Sequence, residues 1–295
     1  MGNSFQLPLT PLKLTSDPTE NMRLDSTEPP IYSPEADQST VLRLGVQPLD
    51  FSQWILPAQD LAVFHRHKQS SRAQYGDRVY QALPDSEPAQ LELKELLLQH
   101  LLAEHGAAYV RAGDELRHHP SGLTWDLEPQ QLWFVSCWVQ EDLCIMEEHN
   151  GEYLLTAASV CSPSNWKLEE KIGRNLDFIH DPVTGYKAEL APRVNRLFNS
   201  LKPEKPLVRL SWSMQNDNEL FWRKDLGLGV TGSQKYWRVE RQTLRRLPKT
   251  GAIVFTIRVS LHSFSRMAQQ PGFDDAVAAI LARLPQEQKQ YKGLQ

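Results

Sequence analysis

Residues 237–258, WRVERQTLRRLPKTGAIVFTIR, contain the clearest structural signal in the chain. From Ile253 onward the residues alternate, and a two-residue period is typical of a β-strand. The pattern predicts an apolar face and a more polar face, with Ile253, Phe255, Ile257, Val259 and Leu261 on the first and Val254, Thr256, Arg258 and Ser260 on the second. A β-compatible run precedes this strand, and residues 248–251, Pro-Lys-Thr-Gly, have the composition of a turn. The stretch therefore predicts a β-hairpin.

The first strand of this hairpin carries an unusual mixture of charges. Glu240 lies among four arginines, at positions 238, 241, 245 and 246. Charged side chains are seldom buried unless they are paired. A hairpin of this composition can present a polarised wall to a bound ligand. The alternative is that its arginines face solvent.

The overall composition is that of an ordinary globular protein. The 295 residues are 40% hydrophobic and 23% charged, and the formal net charge is −4. This length allows one large domain or two modest ones. Because a basic excess is missing, we do not expect a nucleic-acid partner, although clustered arginines can still form a local basic pocket.

Targeting signals and cysteine usage favour a cytoplasmic protein. No apolar run approaches the roughly 20 residues of a membrane span, and the N-terminal residues lack the pattern of a secretory signal. The three cysteines, Cys137, Cys144 and Cys161, have no close metal-ligand spacing and are expected to be buried thiols. We therefore expect no membrane partner and no cysteine-ligated zinc or iron–sulfur centre on this chain.

Two regions of the chain differ in composition. Residues 1–40 are rich in Pro, Ser, Thr, Asp and Glu, and are expected to be disordered or draped on the surface. Residues 41–295 are expected to form a single domain. Its parts are a mainly helical stretch over 41–130, a sheet core over 131–265 and a C-terminal helix within 266–295.

Periodicity and turn residues predict the order of elements in this domain. The helical stretch should contain a short strand and two helices, at 41–46, 58–82 and 88–105. The sheet core should contain, in order, a β-rich run at 134–146, an Asn150-Gly151 turn, a strand at 153–160, a helix from a Ser164 or Asn165 cap to Ile179, a helix at 187–201, a strand at 208–214 and the hairpin. A closing helix should cover 273–284, whereas residues 227–232, GLGVTG, should form a mobile loop. Antiparallel strands in groups separated by helices predict an α+β fold.

Four segments together resemble one known family. They are VQEDL at 139–143, ASVC at 158–161, IHDPVTGY at 179–186 and RVERQTLRRLP at 238–248. These segments are similar to the haem-dependent oxidative N-demethylase α-subunit family, whose haem domain has a PAS-like fold, and the resemblance extends from about Leu44 to the C-terminus. It implies a PAS-like antiparallel sheet with flanking helices and an N-terminal helical extension. One departure is Thr184, where the family usually has proline.

The resemblance implies haem b as the cofactor, and haem iron needs an axial ligand such as an imidazole. His180 is the first candidate because it lies in a family motif at the predicted end of a helix, with His65 and His67 as alternatives. A purely structural role is also open for His180, as a helix cap that contacts the last carbonyl groups.

Arginines are suited to hold the two haem propionates. The candidates in the hairpin are Arg241, Arg245 and Arg258. Solvated strand charges are one alternative, and salt bridges with Glu141 or Asp142 are another.

The enzymes of this family oxidise a small secondary amine, which is a cation at neutral pH. Binding such a cation in a dry pocket requires a carboxylate or an aromatic partner. Glu240 is the candidate carboxylate, with Trp212 and Tyr186 as candidate walls. A buried, ion-paired Glu240 without a catalytic role is the alternative.

The implied reaction is the oxidation of an N-methyl group, in an amine such as dimethylamine, to a carbinolamine that releases formaldehyde. It uses O2 and electrons, and the resemblance implies a separate NADPH-linked reductase that carries FMN and a 2Fe-2S cluster. Tetrahydrofolate, which the family's formaldehyde chemistry involves, binds either this chain or another component. Two other functions stay open: a haem-binding PAS-type sensor or binding module without turnover, and a protein that has kept the fold and lost the cofactor.

Overall fold

A computed structural model describes residues 24–26, 44–58, 60–181, 190–228 and 234–291. Its strands are β1 (Gln47–Pro48), β2 (Tyr80–Ala82), β3 (Tyr109–Ala112), β4 (Glu115–His118), β5 (Leu123–Asp126), β6 (Asp142–His149), β7 (Glu152–Ser159), β8 (Leu207–Gln215), β9 (Tyr236–Arg246) and β10 (Ile253–Ser263). Its helices are α1 (Leu61–Tyr75), α2 (Glu87–Glu104), α3 (Leu132–Ser136), α4 (Leu168–Lys171), α5 (Leu176–Ile179), α6 (Ala191–Ser200), α7 (Phe264–Met267), α8 (Phe273–Arg283) and α9 (Gln286–Tyr291). Within these ranges no helix is long and apolar enough to cross a membrane.

The main feature is a seven-stranded antiparallel sheet with the strand order β1-β8-β9-β10-β6-β7-β2. The β6–β7 hairpin comes first along the chain, then the helices α4 to α6, and then the three consecutive strands β8, β9 and β10. Because β10 returns to pair with β6, the sheet is one continuous layer. The predicted α+β class and this order of elements are confirmed.

The β9–β10 hairpin forms as predicted, with Ile253 opposite Arg246. Gly251 takes a φ of 75° in the turn, which is a left-handed conformation that favours glycine. The Glu92 carboxylate of α2 accepts the backbone N–H groups of Lys249 and Thr250, both at 2.7 Å. A buried side chain of α2 therefore fixes the turn that the local sequence specifies.

Helical layers cover both sides of the sheet. One side, which carries Val254, packs against the leucines of α2, and we call it the α2 face. The opposite side, which carries Leu244, packs against α6, and we call it the α6 face. The predicted polar side of β10 is therefore not a solvated surface, since Thr256, Arg258 and Ser260 are buried.

Three local predictions are wrong. The first predicted helix ends at Tyr75 rather than at 82, because the chain turns at Gly76 and then adds the edge strand β2. The run 134–146 begins with the helix α3, and its strand starts at Asp142. The helix expected up to Ile179 is two separate turns, α4 and α5, because Gly173 takes a φ of 72° between them. The second turn is capped by Asn175, whose side chain accepts from Phe178 N.

A second sheet of three short strands, in the order β3-β4-β5, lies within the stretch expected to be mainly helical. The helices α2 and α8 lie within two residues of the expected bounds. The helix α6 ends within two residues of the expected bound, and residues 187–189 of the expected helix lie outside the described residues. The strand predicted at 41–46 falls partly outside the described residues, which contain β1 at Gln47–Pro48 instead. Most of residues 1–40 and of the loop 227–232 also lies outside them.

Candidate functional site

The alternation of β-strand side chains divides the predicted site residues between the two faces of the sheet. Glu240 points to the α6 face, because it lies on β9 in alternation with the residues of the α2 face. Arg241 and Arg245 lie on the α2 face, together with Arg258, which is paired opposite Arg241. Trp212, paired opposite Val239 on β8, also lies on the α2 face. The structure therefore does not bring these four side chains together with Glu240.

On the α2 face, the three arginines all hold the segment 51–57. Arg241 donates to the carbonyl oxygens of residues 53 and 54, the second at 3.3 Å. Arg258 donates to those of residues 56 and 57, at 3.1 and 2.9 Å, and forms an ion pair with Glu141 at 3.3 Å. The Arg245 guanidinium lies 4.2 Å from the ring centre of Trp54, a cation–π distance. These contacts tie the chain before α1 to the sheet, and the salt-bridge alternative applies to Arg258 and Glu141.

Trp212 belongs to an aromatic core between the sheet and α8. Its ring stacks on Trp237, with 4.7 Å between ring centres and 16° between planes. Trp237 in turn meets the edge of Phe273, at 5.3 Å. Trp212 is therefore packed inside the fold on the side of the sheet away from Glu240.

The α6 face contains a half-buried patch that crosses three neighbouring strands. Ser211 of β8 is paired opposite Glu240 of β9, and Arg209 is paired opposite Gln242, which is itself opposite Ile257 of β10. We call these five residues the polar opening: Arg209, Ser211, Glu240, Gln242 and Ile257. Three strands span roughly 10 Å at the usual spacing of 4.8 Å, which is the width of the patch across the strands.

Buried apolar contacts border the polar opening on both sides. Toward the hairpin turn, Leu244 is buried in the cluster that contains α6. Toward the other end of β9, Val259 of the neighbouring strand β10 is buried in a cluster that contains Phe64 of α1. The polar opening thus lies beside two packed regions of the same sheet face, and its Ile257 packs against the second of them.

His180 lies at the end of α5, within the electrostatic influence of Arg209, one member of the polar opening. Its Nδ1 is 2.8 Å from Leu176 O. Because a carbonyl only accepts, Nδ1 carries the proton in this contact, and the neutral ring has its lone pair on Nε2. Burial lowers the pKa of His180, and the nearby charge of Arg209 lowers this pKa further. The geometry agrees with the cap role and also gives the tautomer that binds a metal through Nε2.

The alternative histidines lie on α1 and have other partners. His67 is buried, and its Nε2 is 2.7 Å from Cys161 O, so this nitrogen donates to a backbone carbonyl. Burial lowers the pKa of His67 to about 4. His65 packs beside Trp125 of the small sheet, with 5.9 Å between ring centres.

Glu240 is held on both carboxylate oxygens. Oε1 accepts from Arg238 Nε at 2.8 Å, and Oε2 accepts from Gln242 Nε2 at 2.9 Å. The Glu240 side chain is 19% exposed, whereas that of Arg238 is 1% exposed. The ion pair of the structural alternative is therefore present, whereas the Glu240 side chain is only partly buried. Tyr186 lies outside the described residues.

Arg209, Ser211 and Gln242 were not among the residues expected from the sequence. Their alternation along β8 and β9 is visible in the sequence, but only the pairing register places Arg209 opposite Gln242. A separate cleft of about 510 Å³ lies beside the edge strand β2, near Tyr80 and Phe134, at the opposite end of the sheet from β8.

The chain matches one protein-family model over residues 45–295, and that family is described as "Haem-dependent oxidative N-demethylase, alpha subunit-like". The matched range includes every element from β1 to α9, and thus the hairpin, α5 and the polar opening. This agrees with the resemblance of the four sequence segments. The chain belongs to the haem-dependent oxidative N-demethylase α-subunit-like family.

Proposed function

We propose that this chain is the haem-binding oxygenase component of an amine N-demethylase, which oxidises an N-methyl group of a small amine such as dimethylamine and releases formaldehyde. The observation that carries the proposal is the family match over residues 45–295. Within that range we assign His180, whose Nδ1 is bonded to Leu176 O, to the haem iron, and the partly exposed Glu240 to the amine. A PAS-like sheet agrees with the order in which a hairpin, helices and three strands form one antiparallel layer.

We assign His180 and two residues of the polar opening as the groups that would hold haem b. His180 would hold the haem iron through Nε2, since its Nδ1 donates to Leu176 O. Arg209 would pair with a propionate, and the partly exposed side chain of Ile257 would contact the macrocycle. Bound haem supplies the activation of O2 that amino-acid side chains cannot perform.

The protein's own residues bind and orient the amine. Glu240 attracts a dialkylammonium ion and accepts its N–H groups, which holds the methyl groups in a fixed place. Tyr186 stays a candidate wall of this site. We assign no ligand contact to Trp212, Arg241, Arg245 and Arg258, because each is packed or bonded on the α2 face.

Electrons come from a separate NADPH-linked reductase with FMN and a 2Fe-2S cluster. The description of the family as α subunit-like supports a system with more than one component. Tetrahydrofolate is the proposed acceptor of the formaldehyde, on this chain or on another component, and the proposed location is the cytoplasm.

The decisive experiment measures NADPH-dependent formaldehyde release from dimethylamine by the haem-reconstituted chain with such a reductase. The wild-type chain should release formaldehyde, and Glu240→Gln should raise KM because the amide does not attract a cation. Haem binding without formaldehyde release would favour a sensor or binding module. An unchanged KM in Glu240→Gln would remove the substrate site from Glu240.

A further inference from the structure

Arg238 connects the Glu240 carboxylate to the interior of the fold. Its Nε donates to Glu240 Oε1 at 2.8 Å, and its Nη2 donates to Ser162 O at 2.6 Å. Nη1 lies 3.5 Å from Gln215 Oε1. A planar guanidinium that bonds in several directions cannot rotate without breaking one of these contacts. The orientation of Arg238 is therefore fixed by groups that do not belong to the polar opening.

The carbonyl that Arg238 uses is itself anchored. The Asp142 carboxylate accepts Cys161 N and Ser162 N, both at 2.9 Å, which fixes the chain just after β7. Asp142 is buried, and the buried Lys68 on α1 donates to Glu141 O at 2.6 Å next to it. A continuous set of buried polar contacts thus runs from α1 and β6 to Arg238.

The second carboxylate oxygen of Glu240 is held by Gln242, its neighbour on the same face of β9. A carboxylate has about four lone-pair sites, and these two contacts use two of them. The remaining sites can accept the two N–H groups of a dialkylammonium ion. With one donor on each oxygen, the carboxylate plane is set before a ligand arrives.

We propose that Arg238 and Gln242 are positioning residues that orient Glu240 for an ammonium ligand on the α6 face. The inference rests on the proposed function, since it takes Glu240 as the amine-binding group. Arg238 also compensates the charge of Glu240, so the site recognises the ligand through N–H contacts in addition to its positive charge. Dimethylammonium, which has N–H groups, should therefore bind more tightly than tetramethylammonium, which has none.

The test measures the dissociation constants of both ions for the haem-reconstituted chain by isothermal titration calorimetry. Arg238→Lys keeps the positive charge but removes the planar guanidinium with its several N–H donors. Gln242→Met removes the other donor to Glu240 at a half-buried position. Each variant should weaken dimethylammonium binding about tenfold, the loss expected from one charge-assisted hydrogen bond. Binding of tetramethylammonium should change much less, so the preference between the two ions falls.

Arg246→Lys is the matched control. Arg246 lies on the same strand and face, and it bonds to Leu201 O at 2.7 Å and Gly251 O at 2.6 Å rather than to Glu240. Its variant should lose stability and keep the wild-type preference between the ions. An unchanged preference in Gln242→Met, or an equal loss in Arg246→Lys, would overturn the inference. Gln242→Met decides the question if Arg238→Lys does not fold.

Glu240→Gln separates the inference from the proposed function. If Glu240→Gln binds dimethylammonium like the wild type, the amine site itself is wrong. If Glu240→Gln weakens binding but Arg238→Lys and Gln242→Met do not, the amine site stands and the positioning role is wrong.

Discussion

Replacing Arg258 with methionine is expected to destabilise the fold without weakening haem binding. The guanidinium bonds to Leu56 O and Pro57 O and forms an ion pair with Glu141. Only 4% of the Arg258 side chain and 0% of the Glu141 side chain are exposed. Removing one partner of a buried ion pair costs about 3–5 kcal/mol, because the other charge is left uncompensated. This is a large part of the roughly 5–15 kcal/mol that stabilises a typical domain.

Urea unfolding followed by circular dichroism measures this loss, and a haem titration measures the affinity. The matched control is Arg117→Met, because Arg117 pairs with Glu115 at 2.7 Å while both side chains are about half exposed, at 52% and 45%. An exposed pair contributes about 0–1 kcal/mol. The double variant Arg258→Met/Glu141→Leu should recover part of the loss, since it leaves no unpaired charge. The reasoning is refuted if Arg258→Met unfolds like the wild type but binds haem less tightly.

Two further predictions concern stability. Burial lowers the pKa of His67 to about 4, whereas an unfolded histidine titrates near 6.5, so falling pH protonates the unfolded chain first. The free energy of unfolding therefore decreases by about 3 kcal/mol as pH falls from about 6.5 to 4, because only the unfolded chain binds a proton at this histidine over most of that range. Burial raises the pKa of Asp142 to about 6, which by itself makes the fold more stable as pH falls. The contribution of His67 is therefore isolated by comparing His67→Gln with the wild type in urea unfolding between pH 6.5 and 4. The prediction is contradicted if the free energies of unfolding of the two proteins depend on pH in the same way. Glu92→Gln should cost about 2 kcal/mol, because the amide oxygen replaces only one carboxylate oxygen and one of the backbone N–H groups of residues 249–250 loses its acceptor. Glu95→Gln, which loses only an exposed ion pair, should stay within about 0.5 kcal/mol in the same assay.

Local sequence patterns predict the central strands β7 to β10 of the main sheet and its two hairpin turns, but not the edge strands β1 and β2. Alternation located β8 and β10, and Asn150-Gly151 located the tight turn between β6 and β7. Asn150 takes a φ of 54° and Gly151 a φ of 86°, as this dipeptide predicts. Such signals are short in range, so they do not depend on the rest of the fold.

Which residues lie together at the candidate site could not be predicted in the same way, because this depends on the pairing register of the strands and on the helices packed against the sheet. Glu240 and Arg241 are neighbours in sequence, yet alternation places them on opposite faces of one sheet. The sequence leaves the hairpin arginines at a ligand, in solvent or in salt bridges with Glu141 or Asp142, whereas Arg241 bonds to backbone carbonyls far away in the sequence. The small sheet β3–β5 was missed because its four-residue strands are too short to establish a period.

The most direct test of the account is the Soret band of the haem-reconstituted chain in histidine variants. His180→Ala should shift the band and weaken haem binding, and added imidazole should restore the spectrum. His67→Gln and His149→Ala should keep the wild-type spectrum, since His67 donates to Cys161 O and His149 is exposed at a hairpin end. An unchanged Soret band in His180→Ala, or the loss of the Soret band in His67→Gln, would contradict the assignment of His180 as the haem ligand.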